Sequence, residues 1–328
     1  MKVLNLCPVP PETFSSNLDP TLGVEIVNPP AHTAEAALTV ADQVAMAVGD
    51  FSGTLRVDAE LIAAMTRLRH FHQFSVGYDI LDVEALTAAG IPLTNAGDVA
   101  AVAMAEYSVM ATLGLLKSLS WCDRQVRDGA WPMHEVVARS LVELRSATVG
   151  LLGFGASARL TADRLRPFGC QVLYTARNRR PADVEAAHGV QWRTLDDLFG
   201  QSSVVIVLVD LNDSTRHMVD AARIATMPRG SFLVNPARAQ IVDTAALTAA
   251  LDSGHLGGAA VDVAEVEPPP ADWPLRDRDT TLLTPHTAGA TVETRIGMVQ
   301  RTLDVIASVA RHQLPEGVIN GVTSLRQP

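Results

Sequence analysis

Short apolar, β-prone runs alternate with stretches of helical periodicity along most of the chain. Residues 3–6 and 24–27 are the first two such runs, separated by the turn-forming Pro8, Pro10 and Pro11. A helical pattern follows at 31–42, then a strand-like run at 45–48, a helix at 57–66, a strand at 69–74, a helix at 81–89 and a strand at 92–94. Strands interleaved with helices predict a parallel sheet. Residues 99–119 are good helix formers without an internal proline, long enough to bridge two domains, and the first boundary is placed at their start. Apolar runs at 148–152, 171–175, 204–209, 231–234, 258–263 and 281–284 then predict six strands with crossovers, a doubly wound nucleotide-binding sheet. A helical stretch at 291–311 is too long for that sheet alone and is expected to return to the first domain. The expected fold is therefore α/β, with two Rossmann-like domains of parallel sheet. Residues 1–98 and 288–328 form a discontinuous substrate domain, and 99–287 the dinucleotide-binding domain. Residues 120–145, with Trp121, Trp131 and Pro132, have weak periodicity and receive no element.

Length and composition narrow the class. At 328 residues the chain exceeds what one core usually supports, and 48% hydrophobic with 19% charged residues describes a water-soluble globule. Acidic side chains outnumber basic ones 36 to 26, for a net charge of −10, and no Lys/Arg cluster offers nucleic acid or an anionic membrane a footprint. The opening residues lack a signal-peptide core and no 18 consecutive apolar residues occur, so a cytoplasmic location is expected. Cys7, Cys122 and Cys170 are scattered and fit a reducing compartment, with no disulfide or metal role.

The run 148–152 leads directly into Gly153-Phe154-Gly155-Ala156-Ser157-Ala158 and a helix-forming stretch, the order of a G-x-G-x-x-A phosphate loop. Gly153 makes the tight turn, Gly155 lets backbone approach a pyrophosphate, and Ala158 keeps helix and strand close. The helix N-terminus then faces the phosphates. An NAD enzyme normally carries Asp or Glu at the end of the next strand to bind the ribose 2′-hydroxyl. Here that place holds Ala176, followed by Arg177, Asn178, Arg179 and Arg180, whose forked donors suit a 2′-phosphate. NADP(H) is thus expected over NAD(H); the competing reading is a solvated surface run of arginines.

Arg238, Glu267 and His286 follow three successive predicted strands, so all lie beyond carboxyl ends, where ligands bind in such sheets. Reduction of a 2-keto acid needs a cation for the carboxylate, a proton donor for the developing alkoxide and a carboxylate to orient and charge that donor. Arg238, His286 and Glu267 supply these in turn. The plainer alternatives are a core histidine and a surface carboxylate in the rigid Glu267-Pro268-Pro269-Pro270 loop. His70-x-His72 could suggest a metal, but without a nearby Cys or further His none is expected.

At these residues the chain resembles the D-isomer-specific 2-hydroxyacid dehydrogenase family over nearly its whole length. The resemblance is carried by Ser75-Val76-Gly77-Tyr78-Asp79, Ala103-Met104-Ala105-Glu106, the Gly153 loop, Asn235-Pro236-Ala237-Arg238-Ala239, Val261-Asp262-Val263 with Glu267-Pro268, and Thr284-Pro285-His286-Thr287-Ala288-Gly289. Tyr174-Thr175-Ala176-Arg177 looks like the glyoxylate/hydroxypyruvate reductase branch, which commonly uses NADPH. The resemblance implies a hydride transfer between NAD(P)H and a small 2-keto or 2-hydroxy acid. It also implies that the backbone amides of Val76 and Gly77 hold the substrate carboxylate alongside Arg238, that Asp262 holds the nicotinamide carboxamide, and that a homodimer forms through residues 120–145. Ala158 and Ala239 stand where glycines are usual, and Asp210 where proline is common; a carboxylate there weighs against NADP. Competing functions are a phosphite or 3-phosphoglycerate dehydrogenase, for which extra cations near 75–79 are missing, and a nicotinamide-sensing corepressor scaffold, which would carry long polar tails.

Overall fold

The structure, a computed structural model, describes residues 1–52, 54–139 and 141–327. The chain divides into two compact units, Met1–Val99 with Thr291–Pro328, and Ala100–Ala290.

In the first unit the elements run β1 (Lys2–Asn5), α1 (Glu12–Ser15), β2 (Glu25–Val27), α2 (Ala34–Leu38), β3 (Met46–Gly49), α3 (Ala59–Ala64), β4 (His70–Gln73), α4 (Val83–Ala88) and β5 (Leu93–Thr94). The strands pair in parallel in the order β2-β1-β3-β4-β5, the flavodoxin-like arrangement. Strand alternation sends Leu4, Ala47, Phe71 and Leu93 into one core and Val3, Met46 and Val48 into another on the opposite face. The C-terminal helix, Val292–Ala310, covers the second face with Val305, Ile306 and Val309, and starts where Thr291 Oγ1 accepts the Thr294 N–H. The helices expected at 31–42, 57–66 and 81–89 are shorter, and Thr33, Asp58 and Asp82 cap their N-terminal ends inside those limits.

Two histidines of β4 lie buried on this face. His70 Nε2 and His72 Nδ1 stand 2.8 and 2.9 Å from Thr94 Oγ1, and His72 Nε2 is 3.2 Å from Thr302 Oγ1. Burial, with Arg301 adding repulsion, pushes His70 down to about 3 and His72 well below its ordinary range.

The second unit opens with α5 (Ala101–Leu116), α6 (Leu119–Arg127) and α7 (Met133–Ala138). There follow β6 (Thr148–Leu152), α8 (Ala156–Leu165), β7 (Gln171–Thr175), α9 (Ala182–His188), β8 (Val190–Trp192), α10 (Leu195–Gln201) and β9 (Val204–Val207). The unit closes with α11 (Ala221–Thr226), β10 (Ser231–Asn235), α12 (Thr244–Asp252), β11 (Leu256–Val261) and β12 (Thr281–Leu283); the C-terminal helix described above is α13. The sheet order is β12-β11-β10-β9-β6-β7-β8, a doubly wound parallel sheet whose order reverses between β6 and β9. It has one strand more than expected, the three-residue β8 at its edge. The long α5 packs against α8 and the β10, β11 and β12 strands. No helix among the described residues is long and apolar enough to cross a membrane.

Candidate active site

The segment after β6 sits at the point where the strand order reverses. Gly153 has φ 105°, and a Cβ there would lie 2.3 Å from the Leu208 carbonyl oxygen, so only glycine makes the turn. Gly155 is the N-cap of α8, extended, with no side-chain cap, and open space surrounds the place a Cβ would occupy. The first amides of α8, at Ala156 and Ser157, are therefore not capped by the protein. Ala158 is fully buried in the core that also holds Val149, Leu151 and Ala111, so a small residue suffices for helix–strand packing. An uncapped helix end behind a turn with room in front fits a dinucleotide pyrophosphate.

Beyond β7 the arginine run is organised by Tyr174 and Glu185. The Tyr174 hydroxyl accepts the Arg180 backbone N–H at 2.8 Å and donates to Glu185 Oε1 at 2.9 Å. Arg179 grips the same carboxylate through Nε and Nη2, at 2.8 and 2.9 Å. Its guanidinium is thus engaged inside the unit, while Arg177, Asn178 and Arg180 are exposed.

The remaining site residues of this unit follow adjacent strands. After β10, Asn235 accepts the Ala237 N–H and donates to the Arg238 carbonyl, which shapes the turn carrying Arg238. After β12, His286 takes a left-handed backbone, φ 53°, and its N–H donates to the Asp262 carbonyl at 2.7 Å. Its Nδ1 lies 2.8 Å from Glu267 Oε2, and Glu267 Oε1 accepts the Ala264 N–H at 3.0 Å. Both side chains are part-exposed, 46% and 40%, so the pair is open to a ligand. With Nδ1–H given to the carboxylate, Nε2 is the atom that faces outward chemistry.

Asp262 is 1% exposed, and its carboxylate is engaged by the His286 segment itself. It accepts the Thr284 hydroxyl at 2.5 Å, the Thr287 N–H at 2.8 Å and the Ala288 N–H at 2.8 Å. The Tyr107 hydroxyl on α5 meets Thr284 Oγ1 at 2.7 Å, and burial, aided by the Asp262 charge, pushes that phenol up to about 12. Thr284 stands in a motif quoted from the sequence, but Tyr107 and its pairing with Thr284 escaped the sequence analysis, because a tyrosine within a run of helix formers carries no sign of a partner far along the chain.

In the first unit Val76 and Gly77 follow β4. Gln73 Nε2 donates to Ser75 Oγ at 2.9 Å, Ser75 donates to the Gly77 carbonyl at 2.8 Å, and Asn95 Nδ2 donates to the Val76 carbonyl at 2.6 Å. These carbonyls are tied back to the protein, which fixes the peptide planes of the turn. Among the described residues no cluster of His, Cys, Asp or Glu is arranged to hold a metal ion.

Residues 109–288 match the family described as D-isomer specific 2-hydroxyacid dehydrogenase, NAD binding domain. The chain is 34% identical to the glyoxylate reductase of Aeropyrum pernix over 281 residues, 84% of this chain and 83% of the relative. Among solved structures, a glyoxylate reductase from Paecilomyes thermophila superposes with a TM-score of 0.86 at 27% identity, covering 96% of this chain and 97% of that one. The holo D-mandelate dehydrogenase of Rhodotorula graminis, at 24% identity, shares the fold with a TM-score of 0.90 over 99% of both chains. A doubly wound sheet with a phosphate loop at its reversal point and a His–carboxylate pair at the same unit's carboxyl edge defines a nicotinamide-dependent oxidoreductase. The chain belongs to the D-isomer-specific 2-hydroxyacid dehydrogenase family.

Proposed function

We propose that the protein is an NADPH-preferring reductase of small 2-keto acids of the glyoxylate and hydroxypyruvate type. The observation that carries this reading is the 2.8 Å pair between His286 Nδ1 and Glu267 Oε2. Bound NADPH supplies the hydride for the carbonyl carbon. Glu267 fixes the His286 ring, so that Nε2 delivers the proton to the carbonyl oxygen and a 2-hydroxy acid forms. Arg238 and the amides of Val76 and Gly77 hold the carboxylate, as the family resemblance implies. Asp262 anchors the His286 segment, a role its three donors support more directly than a contact with the carboxamide. In the same proposal the second unit binds the dinucleotide at the α8 amides and the first takes the substrate.

The coenzyme preference rests on Ala176, which offers a 2′-phosphate no carboxylate, and on the exposed Arg177 and Arg180. Arg179, expected among the phosphate ligands, is left to Glu185. A homodimer is supported by the exposed apolar side chains of Trp131, Met133 and Val137, at 80%, 63% and 77%, in the segment to which the resemblance gives the partner contact. A cytoplasmic location completes the reading. Absorbance of the reduced nicotinamide, followed with glyoxylate and hydroxypyruvate, tests it: consumption at least tenfold faster with NADPH is expected, about 1.4 kcal/mol of discrimination. No consumption with either coenzyme contradicts it.

A further inference from the structure

We propose that the buried Tyr174 is a positioning residue for coenzyme choice, its hydroxyl holding the arginine turn in the form that meets a 2′-phosphate. This deepens the reading above, in which Arg177 and Arg180 take that phosphate, and rests on it. β7 ends at Thr175, and the chain crosses residues 176–181 before α9 begins at Ala182. Tyr174 is fully buried, so it acts on that turn from inside the unit.

The hydroxyl accepts the Arg180 N–H at 2.8 Å and gives its one proton to Glu185 Oε1 at 2.9 Å. Burial raises the phenol above its ordinary value, so that proton stays in place at neutral pH. Among the described residues, the bond from Arg180 is the only main-chain hydrogen bond made by 177–180. The exposed guanidiniums of Arg177 and Arg180 have no hydrogen-bond or ion-pair partner among those residues and are left for a ligand. Arg179 steadies the same turn through its pair with Glu185, but along a flexible side chain that is 61% exposed, whereas the Tyr174 hydroxyl grips the main chain itself. Without that grip the coenzyme would have to order the turn on binding, a cost in affinity that a turn fixed beforehand avoids. The Tyr174 ring has a second contact. It stacks on Phe154, between the two glycines of the phosphate loop, with centroids 4.2 Å apart and planes tilted by 32°. One side chain therefore touches both the loop assigned to the pyrophosphate and the turn assigned to the 2′-phosphate.

Tyr174→Phe separates the two contacts, since it keeps the ring and removes the hydroxyl. With glyoxylate as substrate, the ratio of kcat/KM for NADPH to that for NADH is expected to fall about fivefold, the worth of one net hydrogen bond, and to do so through the KM for NADPH. A tyrosine that only stabilises the fold would move both coenzymes together, and an unchanged ratio overturns the proposal. The same substitution made in Arg180→Ala should lower the ratio by less than about twofold, because the hydroxyl acts through the arginine it positions. A fall as large as in the parent would show that the two act independently and would also overturn it. Amide exchange in the coenzyme-free parent needs no variant: the Arg180 N–H should exchange at least about tenfold more slowly than those of Arg177 and Asn178, and equal rates count against the grip. A parent with no preference for NADPH removes the underlying coenzyme reading and this inference together. A preference that Tyr174→Phe leaves intact removes the inference alone.

Discussion

Tyr107 and Thr284 are joined by a 2.7 Å hydroxyl–hydroxyl hydrogen bond whose direction is set by what lies beyond it. Thr284 has a single proton and gives it to Asp262, so Tyr107 must be the donor to Thr284. The result is a chain from helix α5 through a hydroxyl to the buried carboxylate that holds the left-handed His286 backbone. In the proposed reaction its members act on the histidine through one another, as positioning residues.

Tyr107→Phe keeps the ring and removes the donor. Thr284 then has a part-buried acceptor left over, and the unit should lose about 1 kcal/mol of stability. The expected functional mark is a severalfold fall in kcat with little change in the KM for coenzyme, because the phosphate loop is untouched. Thermal unfolding and steady-state kinetics read the two effects. An unaltered kcat would show that the His286 segment is held without this chain.

The two glycines of the phosphate loop should respond differently to the same added methyl group. In Gly153→Ala the new carbon meets the Leu208 carbonyl at 2.3 Å on a φ of 105°, so a loss of several kcal/mol or failure to fold is expected. In Gly155→Ala nothing lies within 4 Å, so the protein should fold normally while coenzyme binds at least tenfold more weakly. Unfolding curves beside a coenzyme fluorescence titration check both. Normal coenzyme affinity in Gly155→Ala would move the pyrophosphate elsewhere.

The arginines following β7 should divide by partner. Arg177→Ala and Arg180→Ala are expected to raise the KM for NADPH about tenfold and leave that for NADH nearly unchanged, as charge-assisted contacts to a phosphate are lost. Arg179→Ala leaves Glu185 with the Tyr174 hydroxyl but without its guanidinium partner, and should cost modest stability with little shift in coenzyme ratio. A loss of NADPH selectivity confined to Arg179→Ala would reverse this assignment.

The difference among those arginines explains what the amino-acid sequence could and could not reveal. The β6 strand, Gly153 turn and α8 helix are consecutive, so local rules sufficed to place them. Arg238, Glu267 and His286 could be proposed from the sequence because each follows a recognisable strand. Arg179 and Glu185, by contrast, meet across a loop and a helix, and a run of arginines looks uniform until a carboxylate singles one out. Tyr107 and Thr284 stand 177 residues apart, and only the tertiary fold brings their hydroxyls together. β8 was missed because three residues are too few to show periodicity. The α6 and α7 region was left unassigned because its exposed apolar residues, Leu119, Val126, Trp131 and Val137, blur the contrast between a buried and a solvated face.

Acid should weaken the first unit through His70 and His72. Both fold as neutral rings, with His70 at about 3 against an ordinary 6.5, so between those values the unfolded chain binds the protons that the folded one refuses. Stability is expected to be level above about pH 6.5 and to fall as pH drops toward 3, by up to about 1.4 kcal/mol per pH unit for each ring. Denaturant midpoints across that range give the slope. Thr94→Val, which takes away the hydroxyl shared by both rings, should cost about 1–3 kcal/mol at neutral pH.

The central claim is that His286, oriented by Glu267, delivers the proton during hydride transfer. Single-turnover reduction of glyoxylate by His286→Ala, measured beside NADPH binding to the same variant, tests it most directly. The predicted result is a rate loss of about 10²–10⁴ with coenzyme affinity within threefold of the parent. A rate within tenfold of the parent, with coenzyme bound normally, would contradict it.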